Sequence, residues 1–146
     1  MGESAANSFR KSERVVSRKL MESLFARGSR SVMAFPLRAV CLQVERTEGS
    51  EPVQVLVSVS KRHFKRAVHR NRAKRQIREA YRLNKEVLRS VVAGGTSLAV
   101  ALIWLADEPM ESHRVTKSMK TILHRLAERQ VGKKTERQVD KKTERP

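Results

Sequence analysis

The sequence predicts an α+β chain, a small two-layer α/β sandwich, on three observations. Residues 35–44 (FPLRAVCLQV) and 53–60 (VQVLVSVS) are β-rich segments separated by a polar turn. From Lys65 to about Val91 the apolar period becomes helical, and SLAVALIWL at 97–105 is a continuous apolar run followed by an amphipathic stretch. Elements of these kinds must bury their apolar faces against one another in layers.

In chain order, Leu20, Met21, Leu24 and Phe25 recur at helical spacing from Ser17 and stop at Gly28, which predicts a short first helix with a glycine C-cap. The two β-rich segments read as an antiparallel pair joined through ERTEGSEP. In the second, Val53, Val55, Val57 and Val59 alternate with more polar residues, so one face is apolar. Along the long helix, Ala73, Ile77, Ala80, Tyr81, Asn84 and Leu88 gather on one side, which packs. Gly94-Gly95 ends that helix, and the apolar run after it reads as a strand covered on both faces. Val115, Met119, Ile122, Leu123 and Leu126 form the stripe of a last helix. Beyond Glu128 the sequence repeats, ERQVGKKT then ERQVDKKT then ERP, and one Val per unit cannot build a core. Residues 128–146 are therefore expected to be a disordered basic tail, and residues 1–8 a flexible N-terminus.

Lys and Arg total 32 against 15 Asp and Glu, a net charge of +17. So large an excess of one sign destabilises a compact state unless a polyanion offsets it. A membrane partner is disfavoured, because no apolar run approaches the roughly 20 residues of a spanning helix. The N-terminus lacks the apolar stretch of a secretory signal, and its Met-Gly start has Ala6 where a myristoylation motif needs Ser or Thr. One cysteine, Cys41, leaves no internal disulfide partner, and a cytoplasmic location is expected.

Between Lys61 and Lys85 stand eleven Lys and Arg residues and a single acid, Glu79. Helical spacing sets Arg70, Lys74, Arg78, Arg82 and Lys85 along one flank, with Arg75 beside them, away from the packing side. A merely solvated face intersperses acids to relieve repulsion, so this helix reads as a phosphate-binding surface. Arginine suits that role because its planar guanidinium bridges two phosphate oxygens or stacks on a base.

Residues 55–82, VLVSVSKRHFKRAVHRNRAKRQIREAYR, carry a strand ending Ser-Val-Ser-Lys, a loop, and then Ala-Val-x-Arg-Asn-Arg-x-Lys-Arg-x-x-Arg-Glu-Ala-Tyr-Arg. This arrangement resembles the signature of the bacterial ribonuclease P protein component. FRKSERVVSRKLMESLFARGSR, at 9–30, resembles that family's N-terminal region, so the likeness spans residues 9–127. The resemblance implies a mixed sheet of about four strands, with the long basic helix in a left-handed crossover, as in the second domain of ribosomal protein uS5. It also implies a protein subunit that binds a catalytic RNA and the 5′ leader of precursor transfer RNA, while the RNA, with Mg2+, removes the leader. By the motif match, Arg70, Asn71, Arg72, Lys74, Arg75 and Arg78 would face the catalytic RNA. Phe25, Ser58, Ser60, Lys61 and Lys65 would meet the leader, with Phe9 a further candidate. Many members carry a Phe four positions before the one matched by Phe25. Here it is Met21, which stacks less well on a base.

No catalytic residue or protein-held metal is expected. Glu79 and Glu86 are the only acids between Pro52 and Ala106, and seven helical residues set them about 10.5 Å apart. Each follows an arginine by four, Arg75 and Arg82, which reads as ion pairing on the helix surface. The histidines have no cysteine pattern for zinc, and an acid–base ribonuclease would need His63 and His69 in one cleft. A basic-zipper reading ends at Gly94-Gly95, where the heptads stop. The remaining alternative is a ribosomal or general RNA-binding module of similar fold, with no part in transfer-RNA maturation.

Overall fold

The computed structural model describes residues 13–14, 18–26, 30–45 and 51–143, with side chains as far as residue 130. The elements are α1 (Arg18–Leu24), β1 (Arg30–Ala34), β2 (Leu37–Glu45), β3 (Val53–Ser58), α2 (Ala67–Asn84), α3 (Glu86–Arg89), β4 (Thr96–Trp104) and α4 (Ser112–Thr143). Four strands form one mixed sheet in the order β1-β2-β4-β3.

The apolar run becomes β4, which occupies the middle of the sheet and pairs antiparallel with β2 and parallel with β3. The two β-rich segments are therefore not paired with each other as the sequence suggested, because β4 lies between them. Their local alternation fits a central or an edge neighbour equally well, so it could not reveal the insertion. A further strand, β1, lies in a stretch the sequence left unassigned and forms a tight hairpin with β2 around Phe35-Pro36, which the sequence placed within the strand.

The main core lies on one side of the sheet. Leu98, Val100, Leu102 and Trp104 of β4 pack there against Ala73, Ile77, Ala80 and Tyr81 of α2 and against Val115, Met119, Ile122 and Leu123 of α4. All four α2 residues are buried on the side that the helical period predicts. On the opposite sheet face, α1 adds a partial third layer, where Leu24 is buried with Val40, Ala99 and Ala101. Leu20 and Met21 flank this second cluster, so Met21 serves packing.

Both sheet edges are occupied. Arg14 forms a parallel bridge with Val55 beside β3. At the other edge, Arg125 and Arg129 donate to the carbonyls of Met33 and Ser31, at 3.0 and 3.3 Å. Four helical residues rise about 6 Å and two strand residues about 6.7 Å, so the spacings match. Capping the β1 carbonyls in this way blunts an edge that would otherwise recruit another strand.

Lys85, expected on the cationic flank, is instead buried, with its ammonium 2.8 Å from the Glu13 carboxylate. Lys85 keeps helical backbone angles and follows the buried Tyr81 by four residues, so its side chain falls on the packed side. Arg89 joins the same group, 3.5 Å from Glu13 and 3.1 Å from both Glu51 and Glu86. Glu86 thus pairs with Arg89 and Glu79 with Arg82, replacing the partners expected from i,i+4 spacing. Burial, with the Glu13 charge beside it, pushes the neighbouring Tyr81 phenol far above its ordinary range, so it stays neutral.

The last helix continues past Glu128, where a disordered tail was expected, to Thr143. Its apolar stripe ends near Leu126 and Ala127, and the Glu, Gln, Arg and Lys residues beyond are strong helix formers. Residues 1–8 and Gly28 lie outside the described residues.

Two stability outcomes follow. Ile77→Asp should abolish cooperative folding, since an unpaired charge would replace a fully buried side chain; circular dichroism during urea titration checks this. Lys85→Met should cost about 3 kcal/mol by taking the ammonium from the buried Glu13 and leaving its longer contact with Arg89, and adding Glu13→Gln should recover much of the loss.

Candidate nucleic-acid interface

The loop between β3 and α2 is a built structure. Phe64 is buried, with its ring 6.0 Å from that of Trp104, and anchors the loop to the core. A turn closes on Ser60, whose carbonyl accepts from the His63 amide at 3.1 Å and whose Oγ accepts from the Arg62 amide at 3.1 Å. Lys61 stands exposed in that turn. The His63 ring nitrogen Nδ1 lies 2.7 Å from Asp107 Oδ1, tying this loop to the one after β4. His69 lies against the Phe64 ring, with centroids 6.0 Å apart.

No side chain caps the start of α2 at Arg66. Arg70 instead ties the loop to the helix, donating to the carbonyls of Phe64 and Lys65, at 2.8 and 2.9 Å. It is half-buried and braces the loop. Asn71, Arg72, Arg75 and Arg78 are exposed and Lys74 is half-buried. Among the described residues, Arg72, Lys74, Arg75 and Arg78 make no ion pair, because Glu79 is held by Arg82. The hydrogen bond from Arg82 also lowers the Glu79 carboxyl from its ordinary range. One helix thus turns an apolar side inward and uncompensated cations outward.

Of the other sequence-predicted residues, Ser58, Ser60, Lys61 and Lys65 follow one another from the end of β3 through the loop. Phe25 comes from a separate element, the turn after α1, and is 56% exposed, so it is not a core residue. Ser58 alternates with Leu56, which packs in the α1 cluster, so Ser58 shares the sheet face that α1 partly covers. Phe9 lies outside the described residues.

Sequence reasoning missed Arg38. The register aligns Ser58 with Ile103 and Ile103 with Arg38, and Arg38 alternates with Val40 on that same face. This forms a row across three strands with an exposed guanidinium at its far end. An arginine inside an otherwise apolar strand was the available signal.

Among the described residues, no three His, Cys, Asp or Glu side chains group as a metal site. Nor is any helix long and apolar enough to cross a membrane. Cys41, the only cysteine, is buried.

These features define a class: a small basic α+β module with several of its acids paired inward and a cationic helix turned out. Comparisons with known proteins narrow it. The family model described as Ribonuclease P matches residues 9–127. The ribonuclease P protein component of Porphyromonas gingivalis is 37% identical over 118 residues, covering 80% of this chain and 85% of that protein. That of Chlorobaculum tepidum is 36% identical over 95 residues, covering 64% and 61%. The ribonuclease P protein from Thermotoga maritima superposes with a TM-score of 0.58 at 20% identity, covering 77% of this chain and 96% of its own. The Staphylococcus aureus protein gives 0.56 at 20% identity, covering 76% and 92%. The chain therefore belongs to the ribonuclease P family, as the protein component of an endoribonuclease complex of transfer-RNA processing.

The cationic residues separate by their contacts. Arg75→Ala and Arg78→Ala should change stability by no more than about 0.5 kcal/mol. Arg70→Ala should cost about 1–2 kcal/mol, because two loop carbonyls lose a charged donor. Urea denaturation of the three variants checks this ordering.

Proposed function

We propose that this chain binds the catalytic RNA of ribonuclease P through α2 and the 5′ leader of precursor transfer RNA through the end of β3. Arg70, Asn71, Arg72, Lys74, Arg75 and Arg78 meet the catalytic RNA. Phe25, Ser58, Ser60, Lys61 and Lys65 meet the leader, and the exposed Arg38 extends that surface across the sheet. The observation that carries this reading is the run of outward cations on α2 with no ion pair among the described residues. Their charge is compensated when phosphates arrive and counterions leave.

Phosphate contacts orient an RNA without reading its sequence, which suits a subunit that must accept many precursor transfer RNAs. A single strand needs a positive groove and stacking platforms, which Lys61, Lys65, Arg38 and the exposed Phe25 ring supply. Cleavage in this reading belongs to the RNA, acting in the cytoplasm. In this reading Mg2+ is held mainly by the RNA partners. The protein's contribution is to bind and orient the two RNAs.

Lys61→Ala should weaken binding of precursor transfer RNA with a leader far more than binding of mature transfer RNA, measured at one fixed salt concentration. Equal losses on both RNAs would remove Lys61 from the leader site. Arg75→Ala should weaken assembly with the catalytic RNA and reduce the magnitude of the log–log salt slope by about one unit or less.

A further inference from the structure

The hairpin between β1 and β2 holds an aromatic ring in solvent. Phe35 is 58% exposed, although its backbone is pinned on both sides. Its carbonyl accepts from Ser118 Oγ at 2.7 Å, and the next carbonyl, of Pro36, accepts from the Leu105 amide at 2.8 Å. The ring is therefore held out by its scaffold and does not hang from a loose loop.

Two hollows adjoin it, of about 360 and 290 Å³, and Phe35 and Arg114 line both. They are near the lower end of the roughly 300–1,000 Å³ of small-ligand clefts. The larger adds His113 and Lys117, and the smaller adds Ala106, Met110, Asp107 and Glu108. Arg114 and Lys117 are exposed and make no ion pair among the described residues. His113 Nδ1 lies 3.1 Å from Glu111, and Asp107 shares its Oδ1 with His63. The smaller hollow thus combines apolar side chains with two carboxylates, and the larger one is cationic.

We propose that Phe35, Arg114 and Lys117 form a second site for single-stranded RNA, with one base stacked on Phe35 and an adjoining phosphate on Arg114 and Lys117. An exposed ring beside uncompensated cations is the pairing of features by which proteins grip single strands. The carboxylates of Asp107 and Glu108 accept hydrogen bonds from an exocyclic amino group, so cytosine is held better than uracil, which offers carbonyl oxygens there. The site adjoins the leader surface without sharing its residues: Arg38 pairs across the sheet with Met33 of β1, and Asp107 lies 2.7 Å from His63 in the loop that carries Lys61 and Lys65.

The inference rests on the reading that the chain binds RNA. Its test uses the full chain and labelled ten-nucleotide oligocytidylate and oligouridylate, with affinity read by fluorescence anisotropy. Phe35→Ala should weaken oligocytidylate binding by about 5-fold or more, with a smaller effect on oligouridylate, and Phe35→Tyr should restore it. Replacing both Arg114 and Lys117 with Gln should reduce the magnitude of the salt slope by about 0.7, the share of one phosphate. An affinity for Phe35→Ala within about twofold of the native chain, or an unchanged slope in the double variant, overturns the site. Leader cleavage by the catalytic RNA, measured in parallel, separates the two ideas. A native chain that fails to support cleavage, while its oligonucleotide binding still depends on Phe35, sinks the subunit reading and leaves this site standing.

Discussion

The fold depends on the placement of β4. Its nine residues, Thr96–Trp104, are almost all buried, and it hydrogen-bonds to a strand on either side. Its parallel neighbour, β3, can be reached only by a crossover, because parallel strands cannot be joined by a tight turn. The basic helix α2 is most of that crossover. Its orientation follows, since Ile77 and Tyr81 must lie on the sheet for the crossover to pack, and Arg78 between them is then turned outward.

A chain of net charge +17 must also manage its own repulsion. It does so unevenly. Glu13 and Glu51 are drawn inward around Lys85 and Arg89, where they fasten the start of the chain and the approach to β3 to the end of α2. Breaking one partner of such a buried group leaves a charge without water, so the group locks geometry more than it adds stability. The acids used there are unavailable to the exposed face of α2. Internal order and an external excess of positive charge thus come from the same distribution of carboxylates.

Arginine does several separate jobs in this molecule, decided by what lies within reach of each guanidinium. Arg125 and Arg129 close the β1 edge, and Arg70 braces the loop that presents Lys61. Arg72, Arg75 and Arg78 make no ion pair among the described residues and offer the widest access to phosphates. The family to which the chain belongs describes a ribonucleoprotein, and a surface of this kind suits a protein that works by holding RNA.

The sequence alone determined the types of the main elements apart from β1 and the end of α4, the packing side of α2 and the position of the basic surface. Those depend on local periodicity and composition, as Ala73, Ile77 and Ala80 illustrate. The motif around Arg70, Asn71 and Arg72 was enough to suggest the family. Only the tertiary structure decided that β4 separates β2 from β3, that Lys85 is internal, and that Arg38 falls in line with Ser58. It alone also revealed the exposed Phe35 beside its two hollows. Strand order, cross-strand register and the partner of a charged side chain are relations between residues far apart in sequence, and a local period of two or of 3.6 carries no record of them.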